Sequence, residues 1–210
     1  MRQMRTLTTI AVTSVMPLAA CQNVSNAPES DSVTPDEIAA HIGWPSNTVA
    51  ESGDITLPDG FETWPTLGSW STADADGVQN GMHQVYASPG TIEGFKQNGS
   101  FPDGSVLVKE VRGAATANLS TGAASYATKK QVWFVMVKDT QGRFANNALW
   151  GDGWGWALFE AADPAKQVAT DYKVDCQGCH IPAQETDWIY TAAYPVLWPN
   201  GSTSQPSWQD

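Results

Sequence analysis

"KKQVWFVMVKD" (129–139) is almost continuously apolar from Val132 to Val137 and rich in β-branched and aromatic side chains. Such a run reads as a central strand buried on both faces. Upstream, "SVLVKEVRG" (105–113) alternates instead. Val106, Val108, Glu110 and Arg112 share one face, while Leu107, Lys109 and Val111 share the other. "MHQVYAS" (82–88) reads as a further strand, and from Leu57 onward β-like segments are divided by Gly, Pro and Asp. The small-residue stretch "GAATANLSTGAASYAT" (113–128) is expected to form a loop between two strands. Short helices are expected over residues 91–98, from Pro164 towards Thr170, and around Asp187 to Tyr190. A mainly β domain with a few short helices follows, with no internal repeat and no second domain.

The 210 residues suffice for one sizeable core. The chain begins with the basic "MRQMR", continues with the apolar "TLTTIAVTSVMPL" and reaches small residues before Cys21. Residues 1–20 are therefore expected to be a secretory signal. Leu18-Ala19-Ala20-Cys21 is similar to a bacterial lipobox, in which the cysteine is acylated; an ordinary signal peptide cut nearby is the alternative. Either sends the chain out of the cytoplasm, and the first predicts a periplasmic protein tied to a membrane only through lipid on Cys21. Residues 21–50 are expected to be a tether and a short helix, opened by Thr34, Pro35 and Glu37 and stopped by Gly43 and Pro45. Residues 51–210 are the expected functional domain. Without Arg2 and Arg5, nine basic residues face 22 acidic ones, a net charge of −13. That balance leaves no basic patch for nucleic acid.

Near the other end, "DCQGCH" (175–180) places Cys176, Cys179 and His180 within five residues. Cys-x-x-Cys-His is the attachment signature of c-type haem: two thiols reach the two vinyl groups, and the adjacent imidazole falls under the iron. His180 is the expected proximal ligand. A zinc site lacks a second cysteine pair, and a redox dithiol has no need of the histidine. One covalent haem c is the cofactor reading. After His180 there is no Met, His, Lys or Arg, so a sixth ligand has to come from His41, Met82, His83, Met136 or a lysine. That order differs from the common small electron carrier and points to an open distal position. Lys109, between apolar neighbours on its strand face, has two readings. It is either an edge lysine with its ammonium in water or an amine held in a cavity with a lowered pKa.

The segments "LPDGFETW" (57–64), "VYASP" (85–89), "GSFPDGSVLVKEV" (99–111), "RFAN" (143–146), "CQGCH" (176–180) and "TDWIYTAAYPVL" (186–197) together resemble the cytochrome P-460 family. The resemblance implies a mainly β (α+β) fold, an antiparallel β domain with a few short helices, forming a homodimer and carrying one haem c near the C-terminus. It implies oxidation of hydroxylamine at five-coordinate iron, with electrons passed to a soluble cytochrome. Lys109 matches the lysine that family members bond to a porphyrin meso carbon. A sister group, cytochrome c-prime beta, shares the fold without that bond and binds nitric oxide or similar gases, the alternative function. Where family members carry a distal arginine this chain has His83, on one strand face with Val85 and Ala87. An inward His83 donates to a bound ligand or approaches the iron; an outward one is a surface histidine. The proton acceptor is left unassigned between Asp152 and Glu160.

Overall fold

In the computed structural model, which describes residues 48–73 and 79–198, seven strands follow the chain. They are β1 (Thr66–Ala73), β2 (Gln79–Ala87), β3 (Val106–Leu119), β4 (Gly122–Lys138), β5 (Trp150–Gly151), β6 (Trp154–Glu160) and β7 (Asp163–Gln167). They form one sheet in the order β1-β2-β3-β4-β6-β5, with β7 also paired to β6. Every pairing is antiparallel. Helix α1 (Thr91–Asn98) crosses from β2 to β3, and the short α2 (Tyr172–Asp175) leads into a series of 3-10 turns. The expected signal segment, Cys21, the tether, the helix near Thr34 and His41 lie outside the described residues. Among the described residues, no helix is long and apolar enough to cross a membrane.

The apolar run of 132–137 occupies the middle of the sheet, with β3 on one side and β6 on the other. Alternation divides its side chains between two cores. Trp133, Val135 and Val137 join Val106, Val108 and Phe159 under the segment that carries Ile55 and Phe61. Met136 joins Val85, Leu107, Trp154 and Trp156 under α1 and the C-terminal turns, which contribute Ile92, Tyr172, Trp188, Ile189 and Tyr194. The second layer is the one that contains the Cys-x-x-Cys-His motif.

Three expected elements differ. Residues 113–128 are not a loop: β3 and β4 stay paired out to Leu119 opposite Gly122. Their small side chains fit a pleated ribbon as well as a loop, and Gly122 at φ 118° accommodates the tight reversal. The stretch after Pro164 is β7 rather than a helix, because β6 offers it an open edge. Around Asp187 the chain is not helical; the 3-10 helix Ile181–Thr186 stops there.

Glu110, on the face opposite Lys109, is 2% exposed. It accepts from Arg112 Nε at 2.5 Å and from Trp133 Nε1 at 2.9 Å, and Lys130 Nζ stands 3.5 Å away. Glu110→Ala leaves a buried indole N–H and the Arg112 guanidinium without their acceptor, while Lys130 keeps Glu62 at 2.7 Å. The expected loss is about 3 kcal/mol, the low end for a broken buried pair because Arg112 and Lys130 still reach water. A thermal melt should show the midpoint lower by roughly 10 °C.

Candidate haem site

The motif is seated from beneath. Asp171 caps α2 by accepting from Lys173 N at 2.9 Å, and Asp175 accepts from the backbone N–H of Thr170 at 2.7 Å. Tyr172 lies flat against Trp156, with ring centroids 5.8 Å apart, and packs on Gly151, where an added Cβ would sit 2.3 Å from the phenol oxygen. Only glycine permits that approach. Cys176 ends α2, its N–H donating to Tyr172 O at 3.0 Å. Cys176 is buried and Cys179 exposed, and both thiols are free. Burial, then the Asp175 charge, pushes the Cys176 thiol up to about 11.

His180 Nδ1 lies 2.7 Å from Trp188 O. A carbonyl only accepts, so this contact assigns the proton to Nδ1 and leaves Nε2 with a lone pair for a metal. The ring meets Trp156 edge-on at 5.0 Å. Burial holds the imidazole below its ordinary pKa, opposed by the carbonyl and assisted by Lys109. The neutral form is the ligating form. The carbonyl is aimed by two consecutive left-handed residues, Asp187 at φ 60° and Trp188 at φ 65°. A side chain as large as Trp rarely adopts this conformation, which costs about 1–3 kcal/mol and persists only where neighbours impose it.

Opposite His180 stands the sheet. Val85, Leu107, Lys109, Phe134 and Met136 form one wall of a crevice, and His180, Ile189, Tyr190 and Tyr194 form the other. Lys109 lies between Val85 of β2 and Phe134 of β4, with Nζ 4.2 Å from the Phe134 ring centroid. Burial lowers its pKa, partly offset by the charges of Cys179 and Cys176. The cavity reading of Lys109 therefore describes its surroundings.

His83 lies further along the same face, opposite Trp70 of β1 and Val111 of β3. Its ring stacks on Trp70 at 5.1 Å, and its Nδ1 is buried without a hydrogen-bond partner. Burial first, and Lys109 second, lower its pKa. The other candidates separate clearly. Met82 alternates to the opposite face, whereas Met136 borders the crevice. Asp152 accepts from Gln177 at 2.7 Å outside the crevice, and Glu160 lies exposed at the sheet margin.

The donor set fits a c-type haem: two free thiols, an imidazole with its second nitrogen already engaged, and apolar walls. The free space between the walls is only about 40 Å³, so a porphyrin requires the wall of Ile189, Tyr190 and Tyr194 to stand off from the sheet, beyond the turn anchored at Asp187. Roomier depressions of about 560 and 420 Å³ border none of Cys176, Cys179 and His180. Compared with known families, the chain matches Cytochrome P460 over residues 58–191. The chain belongs to the cytochrome P460 family. Membership makes it a c-type cytochrome and implies a haem cofactor. Comparison with curated proteins gives no match.

Three contributors to this cytochrome P460 site were not legible as such. Trp188 acts through its backbone oxygen, for which its side-chain identity gives no signal. Lys138 and Trp154 act on the same turn from the sheet, and "WGWALFE" marks Trp154 only as an apolar residue.

Proposed function

We propose that this protein carries one haem on Cys176 and Cys179 with His180 as proximal ligand, and that it oxidises hydroxylamine, passing the electrons to a soluble cytochrome. The observation that carries the reading is Lys109, a half-buried amine on the wall of the crevice that also contains His180, its pKa lowered by desolvation. Among the described residues no carboxylate pairs with it. The family lysine at this position is joined to the porphyrin, and only an uncharged amine can form such a bond, so a lowered pKa favours the reactive form. When bound, a haem would supply a redox-active iron able to take up a small nitrogen compound.

The chain's own residues divide the remaining work. Trp188 O holds the His180 imidazole in one tautomer and orientation. Val85, Leu107, Phe134 and Met136 exclude water from the opposite wall. Hydroxylamine loses protons as well as electrons on oxidation, and a neutral imidazole beside the site can receive them. His83 suits that role better than Asp152 or Glu160, because it is on the Lys109 face and has an unpartnered buried nitrogen, although it lines the neighbouring depression and not the crevice itself. The acidic balance favours an electron acceptor that presents positive charge. Export, lipid on Cys21 and a homodimer belong to the same proposal.

A second reading, reversible binding of nitric oxide or carbon monoxide without turnover, is favoured by the crevice walls, which contain no carboxylate. The two separate in one preparation. Holoprotein from a host that matures c-type haem is given hydroxylamine and an oxidised cytochrome, and its reduced spectrum is recorded in alkaline pyridine. Turnover with a red-shifted haem spectrum is the expected result. No turnover with an ordinary c-type spectrum would transfer the assignment to gas binding.

A further inference from the structure

We infer that Lys138, Asp187 and Trp154 form a clamp that positions the proximal ligand, setting the hydrogen bond between His180 and Trp188 and through it the electron-donating strength of the imidazole. The inference rests on the reading of His180 as iron ligand.

A single left-handed residue at Asp187 would suffice to end the 3-10 helix Ile181–Thr186, and aspartate tolerates that conformation. Trp188 at φ 65° is not needed for capping. Its consequence is to turn the Trp188 carbonyl onto His180 Nδ1 at 2.7 Å. A strained pair of this kind needs an external hold, and the sheet supplies one. Lys138 Nζ donates to Asp187 Oδ1 at 2.6 Å. Trp154 Nε1 reaches Asp187 O at 3.0 Å and Oδ1 at 3.2 Å.

Lys138 and Trp154 face each other across β4 and β6, with the ammonium 4.7 Å from the indole centroid. The lysine is buried, so its ion pair with Asp187 is less screened than a surface pair. On the far side of the turn, Trp188 is buried edge-on to Trp156, which is itself edge-on to His180. Asp187 is thus tied to the sheet on one side, and Trp188 is wedged on the other. The carbonyl between them has little freedom to move.

A histidine ligand whose second nitrogen donates to a fixed acceptor is a stronger donor to the metal. Stronger donation favours ferric over ferrous iron. Loosening the clamp should therefore raise the reduction potential and weaken the bond between iron and His180.

The test uses full-length holoprotein. Lys138→Met keeps the stem over Trp154 and removes the charge, while Asp187→Gly keeps the left-handed backbone and removes the anchor. The pyridine spectrum counts covalent haem in each. The midpoint potential and the iron–histidine stretching band of the ferrous protein give the readouts.

Both variants are expected to retain haem, to shift the reduction equilibrium at least about threefold towards ferrous iron, roughly 30 mV for one electron, and to show a lower stretching frequency. Lys138→Arg should restore most of both values. Unchanged potential and band in Lys138→Met, with only a lower melting temperature, would reduce the clamp to a structural contact and overturn the inference. If Asp187→Gly fails to accumulate, Lys138→Met alone decides. A wild-type protein without an iron–histidine band, or with one that survives in His180→Ala, would overturn the ligand reading and the clamp with it.

Discussion

Lys109→Ala is expected to yield a protein that still carries covalent haem, shows an ordinary c-type spectrum in alkaline pyridine and loses about 100-fold in hydroxylamine turnover, the upper end for a group removed beside a metal centre. The thiols proposed to hold the haem lie at the end of α2 and in the turn after it, while Lys109 is on β3, so the proposed attachment does not depend on the lysine. Folding should change little. Alanine leaves a gap between Val85, Leu107 and Phe134, but it also removes an amine that burial disfavours. Lys109→Arg separates charge from reactivity. Arginine keeps the positive charge above Phe134 yet does not deprotonate, so it should behave like alanine in the spectrum. An abnormal spectrum that persists in Lys109→Ala would show that the bond is made elsewhere. Turnover that persists with an ordinary spectrum would show that hydroxylamine oxidation needs no crosslink.

The parts of this site that were readable from sequence are those that depend on local pattern. Alternation along "SVLVKEVRG" put Lys109 and Glu110 on opposite faces, and the sheet places one in the crevice and the other in an ion-pair network with Arg112. The same period put His83 with Val85 and Ala87, and the strand pairing keeps that face. Cys176, Cys179 and His180 are singled out by their spacing, and the structure sets His180 on the wall facing Lys109.

Pattern gave no access to what is decided by neighbours distant in sequence. The ribbon of residues 113–128 is a pair of strands because two glycine- and alanine-rich segments find each other in register, although either alone has weak β preference. Residues 163–167 pair because β6 has a free edge. The left-handed turn at Asp187 and Trp188 is met by an ion pair from Lys138, 49 residues upstream, and nothing within "TDWIY" announces it. Without that turn, the carbonyl that orients His180 has no reason to face it.

His83→Gln tests the distal side, and the expected result is a fall in hydroxylamine turnover of about 100-fold, the lower range for a lost general base. Glutamine preserves a polar group against Trp70 but does not take up a proton at these pH values. The pH profile gives the sharper test. Burial first, and the Lys109 charge from β3 second, depress the His83 pKa; with Lys109 joined to the porphyrin the burial contribution remains, and the stacked group from β1 is the uncharged Trp70 ring. The neutral base therefore persists below the ordinary histidine value of about 6.5. Wild-type turnover should rise with pH through an apparent pKa lower than that value and then level; the variant should lack this limb.

Stability should follow the same sign. The unfolded chain binds a proton at His83 more readily than the folded one, so this contribution is complete above the unfolded pKa and declines as pH falls through the folded one. His83→Gln should flatten that part of the acid decline. Equal turnover and an unchanged profile in the variant would make His83 a packed partner of Trp70 only. Turnover that increased, with absorption moving from six- to five-coordinate iron, would mean that the imidazole itself occupies the distal position. In that case the protein at rest would be closed to hydroxylamine, and the open-site argument would hold only after His83 had moved away.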